Sequence, residues 1–238
     1  MTSQLQSSSK PEVVYPDSDG KPMADNTKQF RWIVVIQQNL EWWFATDPNV
    51  FVAGDLLWYP VEGSNTICAA PDVMVALGRP KGDRGSYKQW EEGNIPPQVV
   101  FEILSPGNTA TEMNKKLVFY NRYGVEEYYI YDPDTDELGG WLRSGDGLVV
   151  IDAIHNWTSP RLNIRFDCAG DEMQIYRPDG KPFLSYGEIA QRAEQAEQQL
   201  EQAEQQLEQA EQQLEQERLR SQALAERLRA MGVDPDQI

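Results

Sequence analysis

Residues 96–138 read PPQVVFEILSPGNTATEMNKKLVFYNRYGVEEYYIYDPDTDEL and contain, in order, a strand, a helix and a second strand. Val99–Leu104 is a short apolar run that follows two prolines, which is typical of a buried strand. A helix is predicted over Ala110–Arg122, because a T-x-x-E capping box opens it and Gly124 follows it where left-handed geometry is favoured. Glu127–Tyr131 is the second strand, and an Asp-Pro-Asp turn closes it.

Further elements lie on both sides of this stretch. Asn26 is predicted to cap a helix that runs to about Ala45, since apolar residues recur there near helical spacing. Val50–Tyr59 and Asp72–Leu77 are predicted strands, and a loop over Gly78–Pro97 separates them from the third strand. Additional antiparallel strands are predicted over Leu138–Arg143, Leu148–Ile154 and Glu172–Tyr176. The order helix, three strands, helix, strand predicts an α/β fold with a mixed sheet.

The character of the chain changes at Ile189. The heptad AEQQLEQ occurs three times over residues 196–216, and small or apolar residues recur at alternating steps of three and four. This pattern predicts a coiled-coil helix over residues 189–232, through which we expect a homo-oligomer. A lone solvated helix is the alternative. The predicted organisation is a disordered N-terminus over residues 1–12, a globular domain over residues 13–188, the coiled-coil helix, and a tail over residues 233–238.

Composition limits the classes of function. The 238 residues are 40% hydrophobic, which is enough for a buried core. The apolar runs are too short to cross a bilayer and the first residues lack a signal-peptide core, so we expect a soluble, cytoplasmic protein without membrane partners. The net charge is −17, divided into −6 from Ile189 onward and −11 before it. Because a protein that coats phosphates needs the opposite sign, any contact with nucleic acid must be local.

Cysteine and histidine are scarce. Cys68 and Cys168 are too few for a disulfide scaffold or a thiolate zinc site. His155 is the one histidine, which excludes mechanisms that need two imidazoles and leaves any Ser-His-Asp chemistry to a single residue.

Two acidic residues are the first candidates for chemistry. Asp72 follows Pro71 at the start of one predicted strand, on the same face as Met74 and Ala76. Glu102 lies in the middle of an otherwise apolar strand, where a buried carboxylate must be protonated, paired or bound to a cation. If the two strands are neighbours, they lie about 4.8 Å apart and the acids can share one divalent ion. Alternatively, Asp72 only caps the strand entry, and Glu102 faces solvent at an edge or meets an arginine.

Three further features are candidates of lower rank. Lys116 lies on the helix that follows the Glu102 strand, where it either serves the two acids or is a solvated lysine paired with Glu112. Asp55 is an isolated acid in an otherwise apolar predicted strand. The loop after the Asp72 strand carries four basic residues, which either supply a local positive patch or form an ordinary solvated surface. These are Arg79, Lys81, Arg84 and Lys88.

The joint spacing of these residues resembles the core of the bacterial Uma-type putative restriction endonuclease family, within the PD-(D/E)xK nuclease superfamily. The matching motifs are Pro71-Asp72-Val73, Glu102-Ile103-Leu104-Ser105-Pro106, Lys116, Tyr120, Gly124-Val125, Glu127-Tyr128-Tyr129 and Asp132-Pro133. The segments YPDSDGKPM and IYRPDGKPFLSYGEIAQ also resemble the family, which extends the likeness over roughly residues 13–200. In the wider superfamily the lysine lies two residues after the glutamate. Leu104 occupies that position here, so the amine would come from Lys116.

The resemblance implies a restriction-endonuclease-like core, extended by antiparallel strands and the C-terminal coiled-coil helix. It also implies a metal-dependent endodeoxyribonuclease that hydrolyses phosphodiester bonds in DNA. Asp72 and Glu102, with the Ile103 carbonyl, would bind Mg²⁺ or Mn²⁺, and Lys116 would orient water or neutralise charge on the phosphate. The alternative is a catalytically inactive nuclease-like adaptor or assembly protein that acts through its coiled coil.

Overall fold

A computed structural model describes residues 13–20 and 22–232. They form two compact units, the first ending at Ser185 and the second beginning at Tyr186. The predicted disordered N-terminus, residues 1–12, and the predicted tail, residues 233–238, lie outside the described residues. Within the described part of the chain, none of the helices has the length and apolar composition that a membrane span requires.

The first unit combines two helices with short strands. The helices are α1 (Thr27–Trp43) and α2 (Ala110–Tyr123). The strands are β1 (Val50–Gly54), β2 (Trp58–Tyr59), β3 (Val73–Leu77), β4 (Tyr87–Lys88), β5 (Val99–Ile103), β6 (Glu127–Asp132), β7 (Glu137–Ser144), β8 (Gly147–Val150), β9 (Arg165–Asp167) and β10 (Gln174–Tyr176). The second unit contains one long helix, α3 (Tyr186–Ala230).

Both helices of the first unit begin where the sequence predicts and end within about two residues of the predicted ends. The Asn26 side chain accepts a hydrogen bond from the Gln29 N–H at 2.9 Å, which caps α1. Thr109 accepts one from the Glu112 N–H at 3.2 Å at the start of α2. Gly124 ends α2 with a φ of +94°, in the left-handed region that glycine adopts without strain. These helix predictions are confirmed.

Six strands form one mixed sheet in the order β1-β3-β5-β6-β7-β8. The β5–β6 pair is parallel, and α2 makes the connection between these two strands. The other neighbours are antiparallel. The predicted α/β fold class, with a mixed sheet, added antiparallel strands and a long C-terminal helix, is confirmed.

The alternation of side chains along the strands builds a separate core on each face of the sheet. On one face, Val73 and Phe101 belong to a cluster with Ile33 and Ile36 of α1. On the other face, the buried cluster contains residues of β3, β5 and β6 together with Tyr120 of α2. Side chains at even positions of β5 therefore point toward α2.

One predicted strand is interrupted. The prediction of a continuous strand over Val50–Tyr59 is wrong, because the strand ends at Gly54. Asp55 adopts a left-handed φ of +47°, and its N–H donates to the carbonyls of Pro71 and Asp72 at 3.1 and 3.2 Å. The chain leaves the six-stranded sheet at this point. The next strand, β2, pairs in parallel with β4, and β4 lies inside the segment that was predicted as a loop.

Candidate active site

Asp72 and Glu102 come from adjoining strands. β3 and β5 pair antiparallel, with Val73 opposite Phe101. Extending this register by one residue places Asp72 opposite Glu102, so both side chains leave the sheet on the α2 face. Both residues are buried, with 8% of Asp72 and 2% of Glu102 exposed. Two acidic groups therefore lie side by side in the interior.

Glu102 is held by two residues of α2. The Lys116 Nζ donates to Glu102 Oε2 at 2.6 Å, and the Tyr120 hydroxyl donates to Oε1 at 2.5 Å. Lys116 and Tyr120 lie one helical turn apart, so both reach the same carboxylate from one face of the helix. The sequence left Lys116 either beside the two acids or paired with Glu112. In the structure it forms its salt bridge with Glu102.

The backbone of Ile103 connects Asp72 to helix α1. The Ile103 N–H donates to Asp72 Oδ2 at 2.6 Å, and the Gln29 side-chain amide donates to the Ile103 carbonyl at 2.8 Å. Gln29 is fixed in turn, because its side-chain oxygen accepts the Asp25 N–H at 2.8 Å. The carbonyl that the family resemblance implies as a ligand is therefore oriented by a buried glutamine.

The electrostatics of the site are those of two buried acids beside one cation. Burial raises the pKa of Asp72 well above its usual range, and the adjacent Glu102 raises it further. Burial also raises the pKa of Glu102, an effect that Lys116 and Tyr120 partly offset. For Lys116, burial would lower the pKa, but the attraction of Glu102 and Asp72 raises it instead, so the amine stays protonated.

Asp72 and Lys116 line an open cavity of about 340 Å³. Gln29 and Asp55 line it as well. Asp55, predicted within a strand, instead sits on the left-handed turn after β1. Burial and the nearby Asp19 raise its pKa. A small cleft thus opens onto Asp72 and Lys116.

The donor set fits a small divalent cation that keeps part of its water shell. Asp72 and Glu102 provide carboxylate oxygens, and Mg²⁺ is commonly bound by one or two carboxylates, with water and substrate phosphate oxygens as its other ligands. Within residues 13–20 and 22–232, no three His, Cys, Asp or Glu side chains are grouped so as to hold a metal ion. When both carboxyls are ionised, the single lysine beside them leaves one negative charge that a cation would offset.

The basic loop lies at the end of β3 that is remote from Asp72. Asp72 precedes β3, whereas the loop follows the other end of that strand. Its four cations are paired with acids: Arg79 and Arg84 with Glu92, Lys81 with Glu41, and Lys88 with Glu91. Of the two alternatives for this loop, the ion pairs favour an ordinary surface loop whose cations are paired with acids.

Two contributors were not assigned a role from the sequence. Gln29 precedes Ile33, Ile36 and Leu40 at steps of four, three and four, so a polar residue in the buried stripe of α1 was a visible signal. Tyr120 lies four residues after Lys116, which places both on one helix face.

Comparison with known proteins provides an independent test of the family. No significant match was found among curated proteins. The crystal structure of a putative nuclease belonging to DUF820 from Anabaena variabilis ATCC 29413 is similar at 17% sequence identity and a TM-score of 0.43, covering 60% of this chain and 78% of that chain. Residues 11–163 match the model of the Uma2 family, which is described as a putative restriction endonuclease. Because this match spans more than half of the sequence and includes Asp72, Glu102 and Lys116, the family prediction is confirmed and the chain belongs to the Uma2 family.

Proposed function

We propose that this protein is a divalent-metal-dependent endodeoxyribonuclease that hydrolyses phosphodiester bonds. One observation carries the proposal: two buried carboxylates stand in register on adjoining strands, with the Lys116 amine 2.6 Å from one of them. Membership of a family described as putative restriction endonucleases supports the same reaction class. DNA is the proposed substrate, contacted locally at the mouth of the cavity.

In this proposal, Asp72, Glu102 and the Ile103 carbonyl hold Mg²⁺ or Mn²⁺. The bound ion would polarise the scissile phosphate and lower the pKa of a coordinated water. The Ile103 N–H and the Tyr120 hydroxyl fix the two carboxylates through one oxygen each. Gln29 orients the Ile103 carbonyl. The site is therefore organised before any ligand enters it.

Lys116 acts as a cation rather than as a base, because its neighbours keep the amine protonated. A protonated amine beside the scissile phosphate would neutralise the charge that develops on the phosphate oxygens and orient the attacking water. Its entry from α2 replaces the lysine found two residues after the glutamate in the wider superfamily.

Plasmid nicking in the presence of Mn²⁺ tests the proposal. We expect Asp72→Asn, Glu102→Gln and Lys116→Ala each to lower the cleavage rate by about 100-fold or more, since each removes charge at the reacting centre. Glu137→Gln and Lys181→Ala are matched controls. Both residues are exposed and neither is among the residues that line the cavity, so their cleavage rates should stay within a few-fold of wild type.

Equal low activity in all six preparations would contradict the nuclease proposal. That result would favour the adaptor alternative, to which the long helix α3 already points, since none of its residues is buried in the single chain. Calorimetry with Mn²⁺ is a second, independent way to distinguish the nuclease proposal from the adaptor alternative. We expect heat of binding with wild type and its loss with Glu102→Gln.

A further inference from the structure

Helix α3 exposes an apolar seam along its length. In heptad notation, Leu200, Leu207 and Leu214 occupy a positions, and Ala196, Ala203 and Ala210 occupy d positions. The three leucines are 61%, 61% and 68% exposed in the single chain. A row of leucines this exposed is characteristic of a helix whose partner is absent.

The charges of α3 argue against a solitary helix. Glu197 and Glu201 lie four residues apart on the helix surface, and the repeat copies this pair at Glu204 and Glu208 and at Glu211 and Glu215. Like charges at this spacing destabilise an isolated helix. A partner helix that covers the leucines and carries positive charge would remove the apolar surface from water and reduce the repulsion between the glutamates.

Charge along α3 is divided between its two ends. Residues 186–217 contain nine acids and one base, whereas residues 218–230 contain four bases and one acid. In a parallel pair the acidic segments of two copies would lie against each other. In an antiparallel pair the arginine-rich end of each copy meets the acidic beginning of the other, which is favourable, and only the central repeats still set acid against acid.

Packing of the seam favours the same orientation. A parallel pair aligns a with a and d with d, so layers of two leucines would alternate with layers of two alanines and the width of the interface would vary. An antiparallel pair aligns a with d, so that Leu207 and Leu214 of one helix meet Ala210 and Ala203 of the other, while Leu200 meets Glu217. Mixed layers keep the separation of the axes more even than alternating layers of two leucines and two alanines do.

We propose that α3 pairs with α3 of a second copy of this chain as an antiparallel two-stranded coiled coil. The register that overlaps the helices most fully sets Ile189 opposite Leu228 of the second copy. In the same register Leu207 lies opposite Ala210 and Ala196 opposite Ser221 of the second copy. Glu197 then lies beside Arg218 of the other chain. This proposal does not depend on nuclease activity.

Disulfide trapping tests both orientation and register. Ala196 and Ser221 are small seam residues that cysteine replaces with little change in volume. Full-length Ala196→Cys and Ser221→Cys chains, each also carrying Cys68→Ala and Cys168→Ala, are oxidised alone and after co-expression. We expect a disulfide-linked dimer only from the co-expressed chains, because each cysteine meets its counterpart in the other variant.

The double variant Ala196→Cys/Ser221→Cys is the positive control for thiol reactivity, since it can cross-link in either orientation. Light scattering of the unmodified chain should give twice the 27.1 kDa of one copy. Cross-linking of either single variant with itself would indicate a parallel pair and overturn the proposal. A monomeric mass, or failure of the co-expressed chains to cross-link when the double variant does, would overturn it equally.

Discussion

Glu102 shows how a buried charge is accommodated at the scale of one residue. Its carboxylate is almost fully removed from water, yet each oxygen accepts a short hydrogen bond from α2. The unpaired alternative would be costly, because an isolated ionised carboxylate in a protein interior loses its hydration without compensation. The two residues of α2 therefore explain why an acid is tolerated in the centre of an apolar strand.

Tyr120 is expected to tune metal binding without touching the ion. Tyr120→Phe keeps the buried ring but removes the hydroxyl that fixes Glu102 Oε1. We expect the Mn²⁺ affinity measured by calorimetry to fall by about 10-fold, as for other groups that orient a metal ligand. The thermal unfolding midpoint should also fall by a few degrees, because the buried Glu102 Oε1 loses its donor.

Tyr128→Phe is the matched control for that measurement. Tyr128 is equally buried on the same face, and its hydroxyl has no hydrogen-bond partner among the described residues. Its removal should leave Mn²⁺ affinity unchanged. An equal loss of affinity in both variants would attribute the effect to repacking of the rings instead.

At residue scale, the sequence marked Asp72, Glu102 and Lys116 as candidates but could not choose among their alternatives. Lys116 has a local acid at Glu112 and a distant one at Glu102, and spacing along the chain favours the local partner. Only the packing of α2 against the sheet brings the distant carboxylate within 2.6 Å. The residue pattern of one helix carries no information about contacts with a distant strand, so it could not predict this pair.

At the scale of elements, Glu127 joins β6 to the segment that follows β8. Its carboxylate is fully buried and accepts hydrogen bonds from the Tyr129 hydroxyl, the Ser159 hydroxyl and the Arg161 N–H. Three donors from two parts of the chain thus converge on one side chain. This residue explains how a long irregular segment is held against the sheet.

Glu127→Ala is expected to lower the free energy of unfolding by about 3 kcal/mol, because it strands buried donors without an acceptor. Urea denaturation followed by tryptophan fluorescence measures this change. Glu126→Ala is the control: Glu126 is a neighbouring acid that pairs with Arg161 at the surface, where a salt bridge contributes at most about 1 kcal/mol. Similar losses in the two variants would contradict this role for Glu127.

The elements themselves were mostly predictable, and the exceptions have local causes. Capping residues and glycine defined α1 and α2 closely. The interruption after Gly54 could not be foreseen, since Asp55 adopts a left-handed conformation that depends on carbonyls of Pro71 and Asp72. Two-residue strands such as β2 and β4 are too short to leave a periodic pattern.

At the scale of the whole molecule, the two units should be separable. Both hydrophobic clusters lie before Ser185, and α3 buries none of its residues. We therefore expect a chain ending at Ser185 to keep its thermal unfolding midpoint within a few degrees, while its mass in light scattering falls to that of a monomer. A full-length mass that is already monomeric, or a truncated chain that does not fold, would contradict this division.

The partners of the loop cations also become visible only at the scale of the whole molecule. The basic residues of the loop after β3 are paired with acids, two of which lie in the loop itself and one on α1. Charge clusters in a loop do not indicate which partners the fold supplies.

The tether from Gln29 through Ile103 to Asp72 makes the chemistry of the cleft sensitive to the interior of the protein. Gln29 sits on the same helix face as Ile33 and Ile36, which are packed in the core. A large-to-small substitution in the core beneath α1 would leave a cavity, and α1 would shift toward it. Because Gln29 on α1 holds the Ile103 carbonyl, this shift would reorient that carbonyl. If the cleft binds the proposed cation, conservative core variants far from the cleft should lose affinity for it at temperatures well below those at which they unfold.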